Sequence, residues 1–176
     1  MLDANLTRDW LDFQTFSTLH EKVRVEEVPN RVIDAVPNPI LSVILVTYQH
    51  ERYIKSAIES ILMQETTFPF EIIIGDDESS DGTRGICHDY AIPYPDWIRL
   101  FLHRRANNIS VLGRPTGIFQ IAYSLFKARG KYLALTSGDD YWCGEKKLET
   151  QVSFLEDNPK SSYNYHDHMQ LYEQSG

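Results

Sequence analysis

Cysteine is scarce. Two residues, Cys87 and Cys143, cannot build a disulfide framework, and they suit a reducing compartment. Uninterrupted apolar runs are missing too, and nothing approaches the roughly 20 residues a membrane helix needs. Positive charge is outweighed: 17 Lys and Arg face 25 Asp and Glu, for a net charge of -8. That balance argues against a nucleic-acid partner or a general attraction to anionic lipid. It leaves the local cluster His103-Arg104-Arg105 as a phosphate contact. The opening MLDANLTRDW is acidic and polar, unlike a signal peptide. The expected location is the cytoplasm. No GxGxxG and no GxxxxGK[ST] occur, which disfavours a dinucleotide held by a glycine turn and excludes the usual P-loop.

What is present is a globular composition, 42% hydrophobic and 24% charged over 176 residues, enough for one domain with a core. Residues 1–39 stand apart. Leu6, Trp10, Phe13 and Phe16 recur at spacings of three and four, an amphipathic helix, and VPNRVIDAVPNPI reads as a linker or edge segment. This extension either packs on the domain or meets a partner or the inner face of a membrane. From residue 40 strands and helices alternate. ILSVILVTY and FEIIIGDD read as buried strands, WIRLFLH as a third and KYLALTS as a fourth. Helices are expected over 51–64, from DGTRGICHDYA, over about 115–129 with Gly130 as the stop, and through EKKLETQVSFLEDNP. SYNYHDHMQLY is a candidate fifth strand. The alternation predicts an α/β fold with a mostly parallel sheet and right-handed crossovers.

In such sheets ligands bind beyond the carboxyl ends of the strands. The first strand ends at Thr47-Tyr48-Gln49, the second at Asp76-Asp77 and the fourth at Asp139-Asp140, so three polar clusters converge on one rim. Tyr48 can stack on a base, and Asp77 can accept from an N–H on a base edge. Two adjacent carboxylates repel by on the order of 4 kcal/mol at about 4 Å. Asp139 and Asp140 would relieve this by holding a divalent cation through oxygen, leaving positions for phosphate and water. Duller readings compete: aspartates after strands cap helices and form Asx-turns, as Asp81-Gly82 is expected to do. An EF-hand is rejected, since Asp77, Ser79, Asp81 and Gly82 fit its loop but His88 stands where the bidentate Glu is required. His166-Asp167-His168 reads as surface histidines.

ILSVILVTYQHERYIKSAIESILMQ, FEIIIGDDESSDGT and ARGKYLALTSGDDYW with KLETQVSFLEDNP, in that order, resemble the family 2 glycosyltransferases of the GT-A fold. The resemblance covers residues 40–160 and makes residues 40–176 a nucleotide-sugar-binding domain. It implies inverting transfer from a nucleoside-diphosphate sugar, with UDP the usual nucleotide, to a glycan or lipid-linked glycan in surface polysaccharide synthesis. By position, Thr47 and Tyr48 would contact the base and ribose, and Asp77 would read the base. Asp139 would lie near the ribose and diphosphate, Asp140 would bind Mg²⁺ or Mn²⁺ with Asp139 beside it, and Arg114 would touch the diphosphate. The chain departs from the pattern at Val46, where Pro is common, at Gln49, where Asn is usual, and at Glu78, where Gly is common. The family's catalytic base and acceptor-binding half are expected beyond Gly176. The alternative readings are a noncatalytic nucleotide-sugar-binding module and a donor-binding fragment of a longer enzyme.

Overall fold

The computed structural model describes residues 12–169. Its elements run α1 (Phe13–His20), β1 (Glu26–Glu27), α2 (Val32–Ala35), β2 (Leu41–Thr47), α3 (Ile54–Leu62), β3 (Phe70–Asp76), α4 (Thr83–Ala91) and β4 (Ile98–Leu102). A small hairpin, β5 (Ser110–Val111) and β6 (Arg114–Pro115), precedes α5 (Ile118–Lys127), β7 (Tyr132–Ser137) and α6 (Lys147–Asp157). The main sheet has the order β1-β4-β3-β2-β7. All its pairs are parallel except β1 with β4.

Strand alternation sorts the β-branched residues onto two faces. Val43, Leu45, Ile72 and Ile74 pack with Ile54, Ile58 and Ile61 of α3, Cys87 of α4 and Leu148 of α6. Ile44, Ile73 and Phe101 point the other way, onto Phe119 and Tyr123 of α5. Each such side chain contributes about 1.5–3 kcal/mol when fully buried, so the sheet centre carries much of the fold's stabilisation.

The N-terminal segment is attached to this core. Phe16 stacks on Phe119 at 5.4 Å between centroids, and Phe13 meets Tyr123 edge-on at 5.4 Å. Leu6 and Trp10, the other members of the expected stripe, lie outside the described residues. Residues 28–40, read as a linker or edge, carry the short α2 with Val32 fully buried. One edge strand of the sheet, β1, lies just before them, and β7 forms the other edge.

Two further expectations change. Residues 162–169 form no strand, and the rest of SYNYHDHMQLY lies outside the described residues. Tyr163, Tyr165 and Met169 are strongly exposed, so the segment buries no apolar face that would hold it in a sheet. Gly130 is needed for another reason than stopping a helix in the left-handed region. A Cβ there would lie 2.6 Å from the Leu41 carbonyl carbon and 2.8 Å from its Cα, so glycine lets the chain cross β2. Among the described residues no helix is long and apolar enough to cross a membrane.

Candidate functional site

The register levels the strand tips. Thr47 pairs with Asp76, and Val46 with Ser137, so the three polar clusters predicted from sequence emerge side by side beyond β2, β3 and β7.

The consecutive carboxylates after β3 part ways. Asp76, fully buried, is held by Arg84 of α4 at 2.5 Å, so it serves the scaffold. Asp77, also buried, donates its amide to the Thr47 carbonyl at 3.0 Å and ties the two tips together. Its Oδ2 accepts from Asn108 Nδ2 at 2.8 Å and Arg105 Nη1 at 2.9 Å. Its Oδ1 is buried with no hydrogen-bond partner among the described residues. Burial pushes the Asp77 carboxyl upward, partly offset by Asn108 and Arg105. A buried acceptor left open costs about 1–3 kcal/mol, so this oxygen is suited to a ligand N–H. Beside it, the Arg105 guanidinium lies 3.9 Å from the centroid of the Tyr48 ring.

Sequence reasoning placed Arg105 only in a general basic cluster and missed Asn108. Both follow β4, whose tip brings them to Asp77. The available signal was the polar run HRRANN directly after an apolar strand.

The loops around this corner are strained and braced. Gln49 and Glu78 have φ of 58° and 60°, a left-handed conformation that Gly and Asn tolerate better. These are two of the positions where the family resemblance expects Asn and Gly. Gln49 is held by its amide on Ser79 Oγ at 3.0 Å and by its Oε1 accepting from the Ser80 and Asp81 amides, both at 3.1 Å. Glu78 accepts from the Arg105 amide at 2.8 Å and from Arg104 at 3.2 Å. Asp81 caps the following turn, accepting from the Thr83 and Glu51 amides, as its sequence context indicated.

Toward β7, Thr47 Oγ1 lies 3.2 Å from His50 Nδ1, and His50 Nε2 lies 3.8 Å from Asp139 Oδ2. Ser137 Oγ donates to Asp139. Asp140 closes a turn through its amide on the Ser137 carbonyl at 3.1 Å. Its exposed carboxylate has no hydrogen bond or salt bridge among the described residues. Trp142 is buried and anchors the loop, with Lys147 Nζ 4.3 Å from its ring centroid.

No group of three or more His, Cys, Asp or Glu side chains suited to a metal occurs among the described residues. The unpaired Asp140 carboxylate beside Asp139 fits a hard divalent ion only in an open site, where phosphate and water complete the oxygen shell. Arg114 stands in β6, exposed, one residue beyond a turn in which Leu112 and Gly113 are left-handed. No hydrogen bond or ion pair joins Arg114 to the Asp77 or Asp139 corners among the described residues.

A sequence profile described as "Glycosyl transferase family 2" matches residues 42–168. An uncharacterized protein of Mycobacterium tuberculosis, Rv1520, is 38% identical over 133 residues, covering 76% of this chain and 36% of its own length. TuaG of Bacillus subtilis, provisionally named a teichuronic acid biosynthesis glycosyltransferase, is 32% identical over 117 residues, covering 66% of this chain and 42% of its own. The chain thus spans less than half the length of either relative. Among solved structures, the mannosyltransferase PcManGT from Pyrobaculum calidifontis, in complex with GDP-Man and Mn²⁺, superposes with a TM-score of 0.54 at 22% identity. That superposition covers 81% of this chain and 38% of PcManGT. It is a likeness of fold, an α/β sandwich with a mostly parallel sheet.

Proposed function

The chain belongs to glycosyl transferase family 2, and from that membership we propose that it forms the donor-binding part of a sugar transferase. The donor is a nucleoside-diphosphate sugar, with UDP the favoured nucleotide. The acceptor is a glycan or lipid-linked glycan of a surface polysaccharide, a reading supported by the likeness to TuaG.

The observation that carries this reading is the open Oδ1 of buried Asp77. An acceptor fixed beside the Tyr48 ring suits the N–H of a base lying against that ring, as in the imide edge of uracil. Asn108 keeps the carboxylate oriented through Oδ2, which leaves Oδ1 for the ligand. Thr47 and His50 line the path from this corner to Asp139, so the ribose and diphosphate would run toward the carboxylate pair.

Asp139 and Asp140 would hold Mg²⁺ or Mn²⁺. When bound, the ion supplies Lewis-acid stabilisation of the leaving nucleoside diphosphate. The protein's own share is orientation: Ser137 holds Asp139 by a hydrogen bond with His50 close by, while Asp140 remains free to turn toward the phosphates. Transfer with inversion also requires a base for the acceptor hydroxyl, and we assign that role to none of the residues on this rim.

The test is a thermal-shift panel of UDP-, GDP- and dTDP-sugars with and without Mn²⁺. At 100 times Kd, binding to the folded state alone adds about 2.7 kcal/mol. A UDP-selective, Mn²⁺-enhanced shift supports the reading, and a flat response to every nucleotide sugar rejects it.

A further inference from the structure

Arg105 occupies the place that the base would need. Its guanidinium is 3.9 Å from the centroid of the Tyr48 ring, about one stacking layer. The same guanidinium donates to Asp77 Oδ2 at 2.9 Å. A planar group that lies on Tyr48 takes the stacking place expected of a nucleobase, and its N–H engages the same carboxylate through Oδ2, beside the Oδ1 left for the base. A gap of 3.9 Å leaves no room to insert a base between guanidinium and ring, since two stacked layers need about 7 Å.

From this geometry we propose that Arg105 is a built-in competitor for the base, holding Tyr48 and Asp77 in their binding positions until a nucleobase displaces it. The inference rests on the reading of Tyr48 and Asp77 as the base site. The backbone of Arg105 is fixed while its side chain is not. Its amide donates to Glu78 Oε2 at 2.8 Å and it opens the 3₁₀ turn Arg105–Asn107, whereas the side chain is 31% exposed. The side chain can therefore swing into solvent with no change of fold. Its departure does not strip Asp77 of support, because Asn108 still donates to Oδ2. A base would thus bind a pre-oriented carboxylate, at the expense of one cation–π contact and one partly exposed ion pair.

That expense sets the sign of the test. The two displaced contacts correspond to a factor of about three to thirty in affinity. Calorimetric titration of the full chain with uridine and with guanosine removes the phosphate charge from the comparison. UDP and GDP are run in parallel. If Arg105 competes, Arg105→Ala and Arg105→Gln bind the preferred nucleoside about three-fold or more tighter than the unsubstituted chain, with melting temperatures showing that both variants fold. Equal or weaker nucleoside binding by both folded variants, while the unsubstituted chain binds UDP or GDP, overturns the competitor role and leaves the base site standing. Failure of unsubstituted and variant chains alike to bind any nucleoside or nucleoside diphosphate overturns both readings.

Discussion

Gly138 and Thr47 touch so closely that only glycine fits between the β7 tip and the β2 tip. A Cβ on Gly138 would fall 2.8 Å from Thr47 Cβ and 2.8 Å from His50 Nδ1, distances that real side chains do not reach. Gly138→Ala therefore has to push apart the two strand ends that frame the site. Overpacking of this kind costs about 1–3 kcal/mol, and the Thr47–His50 contact would be disturbed first. The expected result is a modest fall in melting temperature with a larger, roughly ten-fold or greater, loss of nucleotide-sugar affinity. A variant that binds as well as the parent would show that the tips yield without consequence.

The Asp140 carboxylate has no hydrogen bond or salt bridge among the described residues, so removing it should leave stability within about 0.5 kcal/mol. Asp140→Ala is expected to abolish the Mn²⁺-dependent part of any nucleotide-sugar thermal shift. Asp77→Ala should weaken the response even without metal, because the open Oδ1 is lost. A variant at Asp140 that keeps the full metal response would remove this residue from the proposed metal site.

Gln49 combines an unfavourable φ of 58° with a side chain that makes three hydrogen bonds to Ser80 and Asp81 of the facing loop. Gln49→Ala retains the strained backbone and loses the braces, so it should destabilise by about 1–3 kcal/mol. Gln49→Gly should fall between the two, since it relieves the strain and loses the same bonds. Urea unfolding of the three proteins checks this order. An Ala variant as stable as the Gly variant would show that the left-handed backbone carries no penalty there.

The sheet and its rim were readable because the β-branched runs end in polar clusters whose positions along each strand match. Once Leu41 pairs with Phe70 and with Tyr132, the tips must come level. Roles inside the rim were less legible. Asp76 and Asp77 look alike in sequence, yet one binds Arg84 and the other faces Arg105, a distinction set by which face each side chain takes. Arg105 and Asn108 enter through tertiary contact, 28 and 31 residues from Asp77, where local periodicity carries no information. KYLALTS also misleads as a uniformly apolar run. Leu133 and Leu135 stand half exposed beside Ser42 and Ile44, because α5 lies over β2 and β3.

The buried network at the opposite end of the strands offers a separate test of the scaffold. Glu71 is fully buried, accepts from Ser42 Oγ at 2.7 Å, and is bridged by the Arg129 guanidinium at 2.7 and 3.0 Å. Glu71→Ala would leave Arg129 without its main partner. Breaking a buried pair in this way costs about 3–5 kcal/mol. The site lies at the other end of β3, so nucleotide binding by the surviving folded fraction should change little. Joint measurement of unfolding and binding checks both halves of the expectation.

His103 gives the fold a predictable acid sensitivity. The ring is fully buried, neither nitrogen has a hydrogen-bond partner among the described residues, and Phe119 and Tyr123 meet it edge-on. Burial, reinforced by nearby Arg84, lowers its pKa from 6.5 to about 3. Between those values the unfolded chain binds a proton that the folded chain refuses. The stability contribution is therefore intact above pH 6.5 and is lost as pH falls toward 3. At pH 4.5 the loss from this group is about 2–3 kcal/mol, two units of 1.36 kcal/mol each. Asp77 works in the opposite direction, since its raised pKa favours the folded state as acid is added. The difference between parent and His103→Gln isolates the histidine. Denaturant unfolding at pH 7.5 and 4.5 should show the parent losing about 2–3 kcal/mol more than the variant over that interval. Parallel slopes for the two proteins would mean that the ring accepts its proton in the folded state after all.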